Sequence, residues 1–297
     1  MVATCHPIHV FSLRNLVTTG VRHSRPERRL VVNADDFGRS ASINEAVVAA
    51  HERGILTTGS LMVAEPSCGA AVRMAHEHPS LGVGLHLSLL VGRAALPAAR
   101  LPGLVDNRGN FRRGPVASGF HFFFHRSLRA QLRAELHEQF RRFRDSGLTL
   151  DHVNGHLHMH LHPVVLDLLM QDAERLGLER VRLTHDPLRL SLRLSSGRHA
   201  YRFSHALIYR VLSARARKAF RRGNIRFTPH VFGLLQNARV DERYVLNLLP
   251  RLPAGDSELY SHPSLDEFQP EFDALVSPAV KKTVDQLGIQ RIRYQDL

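Results

Sequence analysis

Leu30-Val31-Val32-Asn33-Ala34-Asp35-Asp36-Phe37-Gly38 is an apolar run that ends in two adjacent carboxylates. Buried strands rarely end this way, because neighbouring like charges repel and desolvation worsens the repulsion. A cation relieves the conflict: one carboxylate binds the metal and the other acts as a base on the metal's water. The stretch is therefore read as a strand over residues 30–34 that delivers Asp35 and Asp36 to a site. A helix-capping role for the pair competes less well, since Ser42 already suits the cap of the next helix.

Outward from this run, strand-like and helix-like segments alternate. Ser42-Ile43-Asn44-Glu45 has the form of a capping box. Strands are expected over residues 55–64, 81–89, 148–154, 181–184, 225–228, 258–261 and 290–294. Helices are expected through Cys68–Glu77, over 127–146, from Pro163 at its favoured first position, and over 242–249 and 274–287. Leu128, Leu132, Leu136, Phe140 and Phe143 line one side of the 127–146 helix. Repeated βα units favour a parallel sheet. Seven or eight units in about 265 residues suit a distorted (β/α) barrel better than a doubly wound sheet.

That architecture places one domain over residues 29–297, behind a basic leader at 1–28. Pro97, Pro102, Gly103, Gly109, Gly114 and Pro115 mark a loop insertion at 91–125, and loops of this length usually carry function. Phe120, Phe122, Phe123 and Phe124 follow, either as an element edge packed in the core or as an apolar wall for a lipid-like substrate. Residues 186–224 form a basic helical segment with interleaved Leu207, Ile208, Val211 and Leu212. Such a helix either lies on an anionic membrane surface or is a solvated helix over the barrel.

In (β/α) barrels the C-terminal strand ends carry the active site. Asp35 and Asp36 follow the first strand, His86 lies late in the third, His156 follows the fourth, and His262 follows a late strand. Asp36, His86 and His156 are the expected metal ligands, leaving coordination positions open for water and substrate. Asp35 is the expected base, and His262 the expected proton donor to a departing amine, a role that suits an imidazole. The donor set suits zinc, iron, manganese or cobalt, and magnesium where water fills much of its shell. In His152-Val153-Asn154-Gly155-His156-Leu157-His158-Met159-His160, alternation puts His152, Asn154 and His156 on one side. Asn154, His158 and His160 are candidate substrate contacts, and the two histidines serve equally well as outer partners of the ligands.

The 297 residues are 43% hydrophobic and 23% charged, a globular composition. No apolar run reaches a membrane span. Two cysteines, Cys5 and Cys68, give no zinc spacing, and a reducing cytoplasm fits them. The net charge of +13 suggests an anionic neighbour or reflects an Arg-rich background. A basic nucleic-acid-binding protein is the competing class. Absent Trp, few Tyr and no binding motif count against it, so no nucleic-acid partner is expected.

Asn33-Ala34-Asp35-Asp36-Phe37-Gly38, Gly84-Leu85-His86-Leu87 and the His152–His158 run resemble, in order and spacing, the motifs of the YdjC-like carbohydrate deacetylases. Tyr260-Ser261-His262-Pro263 resembles that family's final His-Pro motif, with Ser where Cys is common. The resemblance implies a barrel-like fold, removal of N-acetyl groups from amino sugars, metal at Asp36, His86 and His156, and Asp35 as base. Ser60-Leu61-Met62-Val63-Ala64, Leu104-Val105-Asp106, the phenylalanine cluster and Leu150-Asp151-His152-Val153-Asn154 resemble the hopanoid-biosynthesis-associated branch. That branch implies an N-acetylglucosaminyl hopanoid as substrate, with soluble chitin-type oligosaccharides as the alternative. Peripheral association with the inner membrane and a homodimer complete the expectation.

Overall fold

A computed structural model describes residues 1–2, 27–112, 114–236 and 238–297. Most of the expected leader, Cys5 included, lies outside the described residues, and Arg28 already belongs to the first strand.

Seven parallel strands form the sheet: β1 (Arg28–Phe37), β2 (Thr58–Leu61), β3 (Gly82–Leu87), β4 (Leu150–Gly155), β5 (His230–Phe232), β6 (Gly255–Ser261) and β7 (Gln290–Ile292). Their order is β4-β3-β2-β1-β6-β5. β7 pairs with the first half of β1 through Arg29–Val31, and β2 with its second half from Asn33 onward. The 179–185 segment spans the gap between β4 and β5. Arg182 N donates to Val153 O, Val181 N to Arg226 O, and Val231 N to His185 O. The sheet thus curls into the expected barrel-like α/β form.

The expected strands at 181–184 and 225–228 appear only as the isolated bridges Val153–Val181 and Arg180–Arg226. The chain there alternates its hydrogen bonds between two neighbours and never pairs with one for several residues. Pro229, lacking an amide hydrogen, separates Arg226 from β5. Asp35 and Asp36 also lie inside β1, which runs on to Phe37, rather than beyond it.

The helices are α1 (Ala41–Arg53), α2 (Cys68–Glu77), α3 (Pro115–Phe124), α4 (Leu128–Asp145), α5 (Pro163–Gln171), α6 (Ala173–Leu176), α7 (Leu188–Leu194), α8 (His199–Arg222), α9 (Glu242–Leu248), α10 (Gln269–Val276) and α11 (Pro278–Gln286). The cap of α1 is Ser40, whose hydroxyl accepts from Ile43 N. Ser42 instead accepts from Leu265 N, tying α1 to the loop after β6. Pro278 splits the helix expected over 274–287, starting α11 at a position where its missing N–H costs nothing. The five apolar residues of α4 are all buried, as their spacing requires.

β1 shows how the layers separate. Leu30, Val32 and Ala34 face the helices in the main core. Val31 faces inward, where it packs with Ile292 and Tyr294. Above this plug the inward positions are polar, beginning with Asn33 and Asp35.

The long excursion between β3 and α4 is anchored by α4. Glu135, buried, accepts from Ala95 N and Leu96 N, and Gln139 bonds both ways with the backbone of Ser88. In α3, Phe122 is buried while Phe120, Phe123 and Phe124 stand exposed, so the aromatic cluster is only partly core.

Candidate metal centre

Asp36, His86 and His156 converge. Their ligand atoms lie within 4.8 Å of one another. Asp36 Oδ1 is 3.3 Å from His86 Nε2 and 3.1 Å from His156 Nδ1. Metal–nitrogen and metal–oxygen bonds of about 2.1 Å put adjacent donors roughly 3.0–3.4 Å apart, so the spacing fits one first-row cation. The backbone is bent to reach it. Asp36 has φ 65°, and Leu157 and His158, just past His156, have φ 48° and 59°. Non-glycine residues seldom adopt this left-handed region, and such strain gathers at functional sites.

His86 offers a further test of fit. Its Nδ1 donates to Asn154 Oδ1 at 2.7 Å, which fixes the tautomer and leaves Nε2 as a lone pair. That Nε2 is buried and has no hydrogen-bond partner among the described residues. A buried polar atom without a partner is costly, and a cation satisfies it. Burial alone would lower the His86 imidazole, but Asp35 and Asp36 outweigh it and raise its pKa. Burial likewise works to raise the Asp36 carboxyl, yet His156 and His86 hold it well below the usual range.

Asp35 sits beneath the cluster. Arg182 grips it with two hydrogen bonds, 2.7 Å to Oδ2 and 2.9 Å to Oδ1. Asn33 and Asn154 each donate an amide hydrogen to Oδ1. Burial opposes ionisation, but Arg182, then His86 and His262, keep this carboxyl well below its ordinary pKa. Arg182 was not legible as a site residue. Its guanidinium also donates to Glu258 at 2.9 and 2.6 Å and lies 4.9 Å from the centre of the Tyr260 ring. Tyr294 donates its hydroxyl to the other Glu258 oxygen. Arg182→Leu leaves Asp35 and Glu258 as buried carboxylates without a counter-ion, a change that costs about 3–5 kcal/mol. The expected drop in melting temperature is on the order of 10 °C. A variant melting within a degree or two of the parent would show that the pairing carries no such weight.

The remaining candidates fall on two levels. Asn154 is fully buried, with its oxygen on His86 and its nitrogen on Asp35 and Ser60. His160 is also fully buried, and its Nε2 donates to Arg182 O at 3.0 Å. Burial pushes its pKa down to about 3, so the ring is neutral. His158 lies nearer the surface, edge-on to Tyr209 and Tyr260 at 5.4 and 5.6 Å between ring centres. Burial first, then Arg182, holds His158 well below the usual imidazole value. His262 is partly exposed past β6. Its Nε2 is 3.3 Å from the Tyr260 hydroxyl, and its Nδ1 3.8 Å from Glu271 Oε2.

Gly84 explains itself through His152. A Cβ at Gly84 would fall 2.4–2.6 Å from three atoms of the His152 ring. That ring stacks on Tyr294 at 4.5 Å and bonds Asp151 and Ser60 at 2.8 and 2.9 Å, so it has little room to move. Gly84→Ala is expected to cost about 1–3 kcal/mol in denaturant unfolding. An unchanged midpoint would mean that the ring yields.

Fold and site together define a barrel-like α/β protein with a carboxylate and two imidazoles brought together at its C-terminal mouth, where they could hold a metal ion. The chain belongs to the YdjC-like protein family, whose model it matches over residues 29–286. Among its relatives are carbohydrate deacetylases of Brevibacillus brevis and Geobacillus stearothermophilus. They are 41% and 40% identical over 148 and 152 residues, which is 49% and 51% of this chain and 56% and 58% of theirs. The matched stretch thus spans little more than half of either relative. A crystal structure from Enterococcus faecalis V583, of a protein named for cellobiose-phosphate cleavage, superposes with a TM-score of 0.69 at 20% identity. It covers 91% of this chain and 98% of its own, a likeness of fold.

Proposed function

We propose that the protein is a metal-dependent N-deacetylase that removes acetate from an N-acetylglucosamine group, carried on a hopanoid glycolipid. The observation that carries the reaction is the convergence of Asp36, His86 and His156 around a buried, unpartnered nitrogen, directly above an ionised Asp35. The relatives named carbohydrate deacetylases support the same chemistry.

Asp36, His86 and His156 would hold a divalent cation, which when bound supplies an acidified water and a polarised amide carbonyl. Asp35 accepts the proton of the attacking water, and its three tethers (Arg182, Asn33 and Asn154) fix the receiving oxygens. His262 delivers a proton to the amine nitrogen as the C–N bond breaks, and acetate and the free amine leave. The Tyr260 hydroxyl orients the His262 imidazole, and Glu271 holds the His262 backbone amide. Asn154 and His160 act by orienting, Asn154 on His86 and Asp35, and His160 on the Arg182 backbone. His158, the least buried of the three, would meet the sugar.

A lipid-linked substrate and peripheral membrane association accord with where apolar side chains are exposed. Val91 follows β3, Leu157 follows β4 and Leu265 follows β6, all on the rim that bears the site, and α3, which packs on His162 through Phe122 and Gly119, exposes Phe120, Phe123 and Phe124. Among the described residues no helix is long and apolar enough to cross a membrane. Mass spectrometry of hopanoid extracts made with and without the protein tests the substrate. An acetyl group retained only in its absence is the expected result. Equal turnover of soluble and hopanoid-linked N-acetylglucosamine would move the assignment to oligosaccharides.

A further inference from the structure

We propose that the cavity between the chain entering α7 and the first half of α8 is a subsite for an apolar group attached to the amino sugar, a specificity element beside the catalytic mouth. The proposal rests on the deacetylase reading for the sugar, but not on the identity of the lipid.

The cavity measures about 460 Å³, within the range of small-molecule sites. Pro187, Leu188, Phe203 and Leu207 supply its apolar wall. Phe203 and Leu207 are 55% and 63% exposed, although large apolar side chains on a solvated helix gain nothing from facing water. The cavity also adjoins the site. Tyr209 lines it and at the same time sets its ring edge-on to His158, which in turn meets Tyr260, the hydrogen-bond partner of His262. One aromatic side chain therefore separates the cavity from the residues assigned to the reaction.

Asp186 closes the inner side of the cavity without bringing a fixed charge to it. It lines the cavity and is more than nine-tenths buried. Its Oδ2 accepts from Leu235 N at 3.1 Å, while Oδ1 has no partner among the described residues. Burial pushes this carboxyl up to about 7, so near neutrality a large share of it is the uncharged acid that tolerates apolar company. His185, Tyr209 and Arg210 also line the cavity, but a second sugar ring would need polar partners around its whole edge, and the apolar wall of Pro187, Leu188, Phe203, Ala206 and Leu207 leaves much of that edge without them. An alkyl or polycyclic group needs only the wall.

Calorimetric titration of the full chain with methyl and n-octyl glucosaminide, the latter below its micelle concentration, tests the subsite with products that react no further. The octyl glycoside is expected to bind at least about tenfold more tightly. Leu207→Asp and Phe203→Asp, both at exposed positions, should each remove most of that difference, while Phe124→Asp on α3 should retain it. Equal affinities in the unsubstituted chain overturn the subsite, as does a preference lost only with Phe124→Asp. Sedimentation covers the other occupant: a Leu207→Asp chain that passes from dimer to monomer with unaltered glycoside affinity assigns the face to a second copy and overturns the proposal. Acetate release from n-octyl N-acetylglucosaminide is scored separately. Its absence with the tenfold preference intact refutes the deacetylase reading and leaves the subsite standing.

Discussion

His86→Ala is expected to lose bound metal and acetate release together. His86 contributes the Nε2 that is buried without a partner, and Ala provides neither that donor nor the bulk beside Asp36. Losing an outer-shell partner of a ligand costs about 10–100-fold in metal affinity, and losing the ligand itself should exceed that. Metal content by elemental mass spectrometry and acetate release by a coupled assay give two independent readings. A His86→Ala chain that keeps one tightly held ion per molecule would remove His86 from the ligand set. If it kept full turnover without an ion, the metal-dependent account would fail altogether.

Asp35→Asn should separate the two readings. General-base catalysis contributes about 10²–10⁴-fold, and a loss in that range is expected. Metal content should stay near the parent value, because Asp35 lies beneath the cluster rather than in it. The variant also sets an amide against Arg182, which now donates twice to a carboxylate, so some loss of stability accompanies the loss of rate. Circular dichroism and a melting curve distinguish an inactive folded chain from an unfolded one. Near-parental turnover in a folded, metal-loaded Asp35→Asn chain would transfer the base role to another group.

The parts of this site that were legible in the sequence are those whose residue types are improbable without it. Adjacent carboxylates at the end of an apolar run, and histidines at the ends of two later strands, have few structural explanations, and Asp36, His86 and His156 do meet. Arg182 was not legible because Arg180-Val181-Arg182-Leu183 alternates like a half-solvated strand. In a closed sheet the second face of each strand is the interior, so the face that looks wet is dry. An arginine there must find acids, and Asp35 and Glu258 are the ones it finds. The signal was the alternation itself combined with the barrel assignment. Ser42 misled for a local reason: Ser40 offered the same hydroxyl two residues earlier, and the sequence does not show that Ser42 holds Leu265. The segments at 181–184 and 225–228 have strand composition but not strand pairing, since pairing depends on neighbours far along the chain.

Along the polar axis of the barrel the same side chains set both the electrostatics of Asp35 and the closure of the fold. Arg182 holds Asp35, Glu258 holds Arg182, Tyr294 holds Glu258 and His152 stacks on Tyr294, so one run of contacts ties distant strands together. A substitution along that axis which tuned reactivity would at the same moment compromise folding, so few routes to novelty lead through it. Altered substrate preference is therefore expected from changes in the excursions at 88–127 and 186–229, which lie outside the inner column.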